Sequence, residues 1–65
     1  MKTYIIIPTY NEAENIKNLV DNIFDHYHDI NIMIVDDNSP DGTGDIADSL
    51  SKKYSSLCVI HRSKK

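Results

Sequence analysis

One cysteine, Cys58, stands among 65 residues, so neither an intrachain disulfide nor a cysteine metal cluster can form. That fits a reducing compartment. Basic residues are outnumbered, with seven Lys and Arg against ten Asp and Glu and a formal net charge of -3. A dedicated nucleic-acid binder needs a basic face, and this balance excludes one. No apolar run approaches the roughly 20 residues that cross a bilayer. The apolar stretch Tyr4 to Ile7 is too short for a signal-peptide core and no small-residue cleavage site follows it. There are no repeats, no low-complexity tracts and no internal linker. A chain of this length permits one small domain, which buries only about 60% of the surface its unfolded form exposes and is marginally stable.

What is present alternates. Tyr4-Ile5-Ile6-Ile7, stopped by Pro8, reads as a buried parallel strand. Asn11 followed three residues on by Glu14 has the spacing of a capping box. Behind it Ile16, Leu19, Val20, Ile23, Phe24 and Tyr27 form one apolar helical stripe, opposite Lys17, Asn18, Asp21, Asn22 and Asp25. Ile30 to Val35 is a second strand, ending in the turn formers Asp36-Asp37-Asn38-Ser39-Pro40-Asp41-Gly42. Thr43 is placed to cap a second helix with Ile46, Ala47, Leu50 and Tyr54 inward. Leu57 to Ile60 is a third strand. The order β-α-β-α-β predicts an α/β fold, the first half of a doubly wound parallel sheet.

That order has a consequence. Right-handed crossovers stepping in one direction put both helices on the same face. The other face of an apolar sheet is then bare, although purely parallel sheets are covered on both. The expectation is a piece of a larger domain, or a chain that covers the face by self-association.

Ligands of open parallel sheets bind beyond the carboxyl ends of the strands. Two polar clusters stand there, Pro8-Thr9-Tyr10-Asn11-Glu12 and Asp36-Asp37-Asn38-Ser39. Tyr10 offers a flat face on which a base can stack. A carboxylate after the second strand offers only acceptors, which suits a ribose hydroxyl or a base N–H. Pro8 stiffens the strand exit and has no N–H to pair. Taken alone, the first cluster also reads as a strand stop with a helix cap, and the second as a turn. Both emerge at one edge of one sheet, which favours a ligand site.

The remaining candidates read as structural. His26 and His28 lie two apart and share no helix face. His61 follows the third strand, Cys58 reads as a small core residue, and Arg62, Lys64 and Lys65 read as a solvated tail that could touch phosphate.

Ile5-Ile6-Ile7-Pro8-Thr9-Tyr10-Asn11-Glu12 resembles the opening signature of family-2 glycosyltransferases, which have the GT-A fold. Val35-Asp36-Asp37-Asn38-Ser39-Pro40-Asp41-Gly42-Thr43 is similar, in its Pro-Asp-Gly-Thr continuation, to dolichol-phosphate and polyprenol-phosphate mannosyltransferases. The resemblance covers essentially the whole chain, and His61 to Lys65 resembles the segment before that family's Gly-Leu-Gly loop. It implies that residues 1–65 are the nucleotide-sugar-binding N-terminal part of an incomplete GT-A domain. Pro8, Tyr10, Glu12, Val35 and Asp37 would contact GDP-mannose. The acceptor would be dolichyl or polyprenyl phosphate in a membrane, with the enzyme cytoplasmic and peripheral to or anchored at that membrane. The family's Asp-X-Asp motif lies beyond Lys65, so the ligands of its Mg²⁺ or Mn²⁺ are expected outside this chain. No catalytic residue is assigned within it, and the chain alone is expected to be inactive. The implied chemistry is one inverting displacement, in which a lipid phosphate oxygen attacks the anomeric carbon as GDP departs.

Three other readings compete. A receiver domain shares the acidic strand end Asp36-Asp37, but it needs a phospho-accepting aspartate where this chain has His61 and Arg62. A nicotinamide enzyme needs Gly-X-Gly-X-X-Gly after the first strand, and none is there. Another family-2 transferase, a polyprenyl-phosphate glucosyltransferase or a polysaccharide synthase, differs only in donor or acceptor.

Overall fold

Runs of isoleucine and valine that are too short and too branched to favour a helix form three strands in a computed structural model, which describes residues 3–62. They are β1 (Thr3–Thr9), β2 (Ile30–Asp36) and β3 (Leu57–His61), separated by α1 (Ile16–His26) and α2 (Thr43–Lys53). The sheet order is β1-β2-β3 and both pairings are parallel. This is the βαβαβ arrangement expected from the sequence.

Register assigns every side chain to a face. Ile5 lies opposite Ile32 and Ile7 opposite Ile34, while Ile32 and Ile34 meet Leu57 and Val59 on the other side. Those residues point toward the helices. With Ile16 and Val20 of α1 and Ala47 and Leu50 of α2, Ile30, Ile32, Ile34 and Leu57 make the buried core. Full burial of one such side chain stabilises by about 1.5–3 kcal/mol. The alternate residues Tyr4, Ile6 and Ile60 face away from both helices, and Ile6 is 64% exposed. The bare apolar face follows directly from this.

Several local expectations give way. Cys58 is exposed rather than in the core, because the two-residue period that sends Leu57 and Val59 inward sends Cys58 to the uncovered face. The capping box does not form. Asn11 sits at φ 57, and α1 starts four to five residues later, after an Asn15 whose side chain makes no capping bond. Leu19 and Tyr27 leave the predicted stripe: both are exposed, Leu19 by 44%, and Tyr27 lies just past the last helical turn. Thr43 does not cap α2. Gly42 holds that position at φ 91 and Thr43 is the first helical residue, wholly buried. A left-handed cap of this kind favours glycine.

The helices are joined to each other by one carboxylate. Asp21 of α1 accepts from Lys17 Nζ at 2.7 Å, from Lys53 Nζ at 3.4 Å and from the Tyr54 hydroxyl. The Tyr54 ring stacks on Phe24 with centroids 4.3 Å apart. The Lys17 hydrogen bond above all, then that of Tyr54, outweighs burial and holds the Asp21 carboxyl at about 2 against an ordinary 3.8. A depressed carboxylate stabilises the fold above its unfolded pKa and loses that contribution as pH falls through the folded one. Asp21→Asn should therefore cost about 1 kcal/mol at neutral pH, a partly exposed network being worth little more. In urea unfolding the wild-type advantage should shrink as pH drops from about 3.8 toward 2. A deficit that does not vary with pH would assign the loss to packing instead.

Candidate functional site

The carboxyl ends of β1 and β2 are tied by a buried acid. Asp36, 2% exposed, accepts from Thr9 Oγ1 at 2.8 Å and from Ser39 through Oγ at 2.6 Å and N–H at 3.1 Å. Burial pushes its carboxyl up, but the two Ser39 bonds, the Thr9 bond and the nearby His61 together hold it below the ordinary range. It is an ionised structural anchor. Backbone pairing continues one residue beyond it: Asp37 N–H donates to Thr9 carbonyl at 3.0 Å and Arg62 N–H to Asp36 carbonyl at 2.8 Å. The first bond sets Asp37 beside the end of β1 and the second sets Arg62 beside the end of β2.

A cavity of about 220 Å³ opens there, lined by Pro8, Thr9, Tyr10, Val35, Asp37 and Arg62. Four of the five site residues named from the sequence thus meet in one place. Tyr10 is largely exposed, its ring free of the core. Asp37 and Arg62 are both exposed, with Oδ1 and Nε 3.8 Å apart. Glu12 stands apart from them. It lines a neighbouring crevice of about 200 Å³ with Ile7, Pro8, Thr9, Asn15, Ile16 and Leu19. Its carbonyl closes the turn into α1, accepting from Asn15 N–H at 3.0 Å and Ile16 N–H at 2.8 Å.

Arg62 is the addition made by the structure. By sequence it reads as part of a solvated basic tail with phosphate contact as the alternative, and its place one residue beyond β3 puts it at the carboxyl edge. Residues 63–65, the rest of that tail, lie outside the described residues.

On the far side of Asp36 a third cavity, about 230 Å³, is bordered by Asp36, Ser39, Gly44, Asp45, His61 and Arg62 among others. His61 lies across the first turn of α2 and pairs its Nε2 with Asp48 Oδ1 at 2.8 Å. A Cβ on Gly44 would come within 3.1 Å of the imidazole and 3.3 Å of Asp36 Oδ2, so glycine permits this close approach. His26 Nδ1 faces its own helix at Asn22 carbonyl, 2.9 Å away.

A parallel sheet with its helices on one face and a cavity past its strand ends, walled by an aromatic ring and a carboxylate, places the chain among the open-sheet α/β proteins, whose ligands bind at that edge. More narrowly, the chain belongs to glycosyl transferase family 2, whose model matches residues 4–65. It is 42% identical over 65 residues to an undecaprenyl-phosphate mannosyltransferase of Micrococcus luteus, covering 100% of this chain and 27% of that one. It is 58% identical over 40 residues to a UDP-N-acetylglucosamine–dolichyl-phosphate N-acetylglucosaminyltransferase of Methanococcus voltae, covering 62% and 16%. Among solved structures it is similar to a mannosyltransferase from Pyrobaculum calidifontis in complex with GDP-Man and Mn²⁺. There the TM-score is 0.82 and the identity 29%, over 97% of this chain and 20% of the other. The fold is accordingly GT-A, and the chain spans about a quarter of the curated mannosyltransferase it matches.

A divalent ion of the kind held by that Pyrobaculum relative does not fit the acids described here. Asp36 has both oxygens engaged by Thr9 and Ser39. Asp37 follows it on extended backbone and is directed to the opposite side, toward Arg62. Among the described residues no three of His, Cys, Asp and Glu gather around a common point, whereas such ions take several oxygen ligands at once. Calorimetric titration of Mn²⁺ into the 65-residue chain should show no tight site. Tight binding abolished by Asp36→Asn would reverse this assignment.

Proposed function

We propose that this chain is the nucleotide-binding part of an enzyme that transfers mannose from GDP-mannose to dolichyl or polyprenyl phosphate, inverting the anomeric carbon. The observation that carries the reading is the convergence of Pro8, Tyr10, Val35 and Asp37 on one cavity at the carboxyl edge of the sheet. Tyr10 is suited to stack on the base and Asp37 to accept its N–H groups. Glu12, on the adjoining crevice beyond Pro8 and Thr9, is suited to a more distant part of the nucleoside. Mannose is preferred because the Micrococcus and Pyrobaculum mannosyltransferases match along nearly the entire chain.

The chemistry asks little of the residues here. An acceptor phosphate is anionic at neutral pH and attacks without a general base. The enzyme would act by aligning donor and acceptor and by stabilising charge on the leaving diphosphate. A divalent ion, held by residues outside this chain, would supply part of that stabilisation. No helix among the described residues is long and apolar enough to cross a membrane. In this reading the lipid acceptor is met at the membrane surface, on the cytoplasmic side, or through segments outside this chain.

A second reading is a family-2 transferase that uses a UDP-sugar, and the 58% identity to the N-acetylglucosaminyltransferase supports it. Isothermal titration of the full-length protein with GDP and UDP separates the two. GDP should bind more tightly, and Asp37→Ala should weaken it by about 1–3 kcal/mol, the cost of losing hydrogen bonds to a charged acceptor. Preference for UDP would transfer the assignment to the second reading, and unchanged affinity in the variant would remove Asp37 from the site.

The uncovered face bears on partners. Tyr4, Ile6 and Ile60 are exposed on it, and contiguous apolar surface of this kind drives association. The 65-residue chain produced alone should be oligomeric or poorly folded in sedimentation and near-UV dichroism across a concentration series. A monodisperse monomer with native-like tertiary signal at high concentration would show that the face needs no cover.

A further inference from the structure

The backbone leaving β1 is held by side chains of the other loop. Asn11 N–H donates to Ser39 Oγ at 3.0 Å, Glu12 N–H to Thr43 Oγ1 at 2.9 Å, and Ala13 N–H to Asp41 Oδ2 at 3.1 Å. Three successive amides are thus received by alternate residues of a single segment 28 to 31 positions away. Each acceptor is anchored in turn. Ser39 Oγ donates to Asp36 Oδ1 at 2.6 Å. Thr43, wholly buried, donates its hydroxyl to Asp41 Oδ1, which also receives Thr43 N–H at 3.1 Å. Gly42 at φ 91 makes the bend that lets Asp41 and Thr43 face the same way. Asn11 is held at φ 57, a left-handed conformation that asparagine adopts more readily than most residues with a Cβ, and the bond from its N–H to Ser39 Oγ secures it there.

We propose that Ser39, Asp41 and Thr43 are positioning residues for the nucleotide cavity, whose grip on amides 11–13 sets Tyr10 against Asp37. None of the three needs to touch the ligand. The inference rests on the reading that the cavity of Pro8, Tyr10, Val35 and Asp37 takes a nucleotide. It also gives the Pro40-Asp41-Gly42-Thr43 stretch a task unrelated to sugar identity. A brace acting through Tyr10 alters binding of the nucleoside diphosphate alone and of the nucleotide sugar by the same factor.

The test uses the full-length protein with Thr43→Val, Thr43→Ser and Asp41→Ala, titrated calorimetrically with GDP and with GDP-mannose. Loss of one buried hydrogen-bond partner should raise the Kd of both ligands about tenfold in Thr43→Val and several-fold in Asp41→Ala. Thr43→Ser keeps the hydroxyl and should stay within about twofold of wild type. In a Tyr10→Ala background the Thr43→Val effect should vanish, because the two act through one contact. Folded variants that bind GDP as wild type does would overturn the proposal. So would a loss confined to GDP-mannose, or additivity with Tyr10→Ala. Should Thr43→Val not fold, Asp41→Ala decides alone, since Asp41 is exposed and its truncation leaves no cavity. A wild-type protein that binds neither GDP nor UDP overturns the nucleotide reading and this proposal together. Preference for UDP moves the same series to UDP and UDP-sugar.

Discussion

Asp36 is the constraint on which the carboxyl edge of the sheet depends. A carboxylate that is 2% exposed must have its lone pairs met, and Thr9 and Ser39 meet them with three hydrogen bonds. Those bonds cross from β2 to β1 and from the strand into its following loop. Removing one partner would leave a buried charge poorly matched, which is far costlier than an ordinary surface loss. The loops at this edge are therefore tied to the strands beneath them, although they consist of turn-forming residues.

Adjacent residues take opposite parts because the backbone is extended. Asp36 turns inward and becomes structure; Asp37 turns outward and becomes available to a ligand, with Arg62 at 3.8 Å balancing its charge. The same alternation separates the core isoleucines Ile32 and Ile34 from Met33 and Val35 on the uncovered side. Val35 serves the cavity because it lies on that uncovered side at the strand's end. One two-residue period thus sorts core, anchor and cavity wall along seven residues of β2.

The small core explains the use made of polar contacts. Among the described residues eight buried apolar side chains form it, few for a domain that must also offset chain entropy. Around them the molecule adds directed bonds: Asp21 between the helices, His61 with Asp48 along α2, and the 39–43 segment on the amides after β1. Each fixes an orientation that nonpolar contact would leave loose.

Much of this was legible in the residues. Apolar runs ended by Pro8 and by Asp36-Asp37 marked the strands, the spacing of Ile16, Val20 and Ile23 marked α1, and the alternation marked a parallel sheet with two helices on one face. The clusters Pro8 to Glu12 and Asp36 to Ser39 could be placed at one edge because parallel strands align their carboxyl ends, whereas Val35 entered only with the family resemblance. The sequence by itself determined those things because they depend on local period and on chain order. Only the tertiary structure decided that Asn11 would not cap α1, that Thr43 would serve the other loop rather than its own helix, that Cys58 would be exposed and that Arg62 would reach Asp37. Cys58 follows from which strand face the helices cover; the others turn on which group lies across from a residue some 25 to 31 positions away in sequence. A hydrogen-bonding side chain satisfies the nearest unpaired partner in space, and no local pattern records where that partner is.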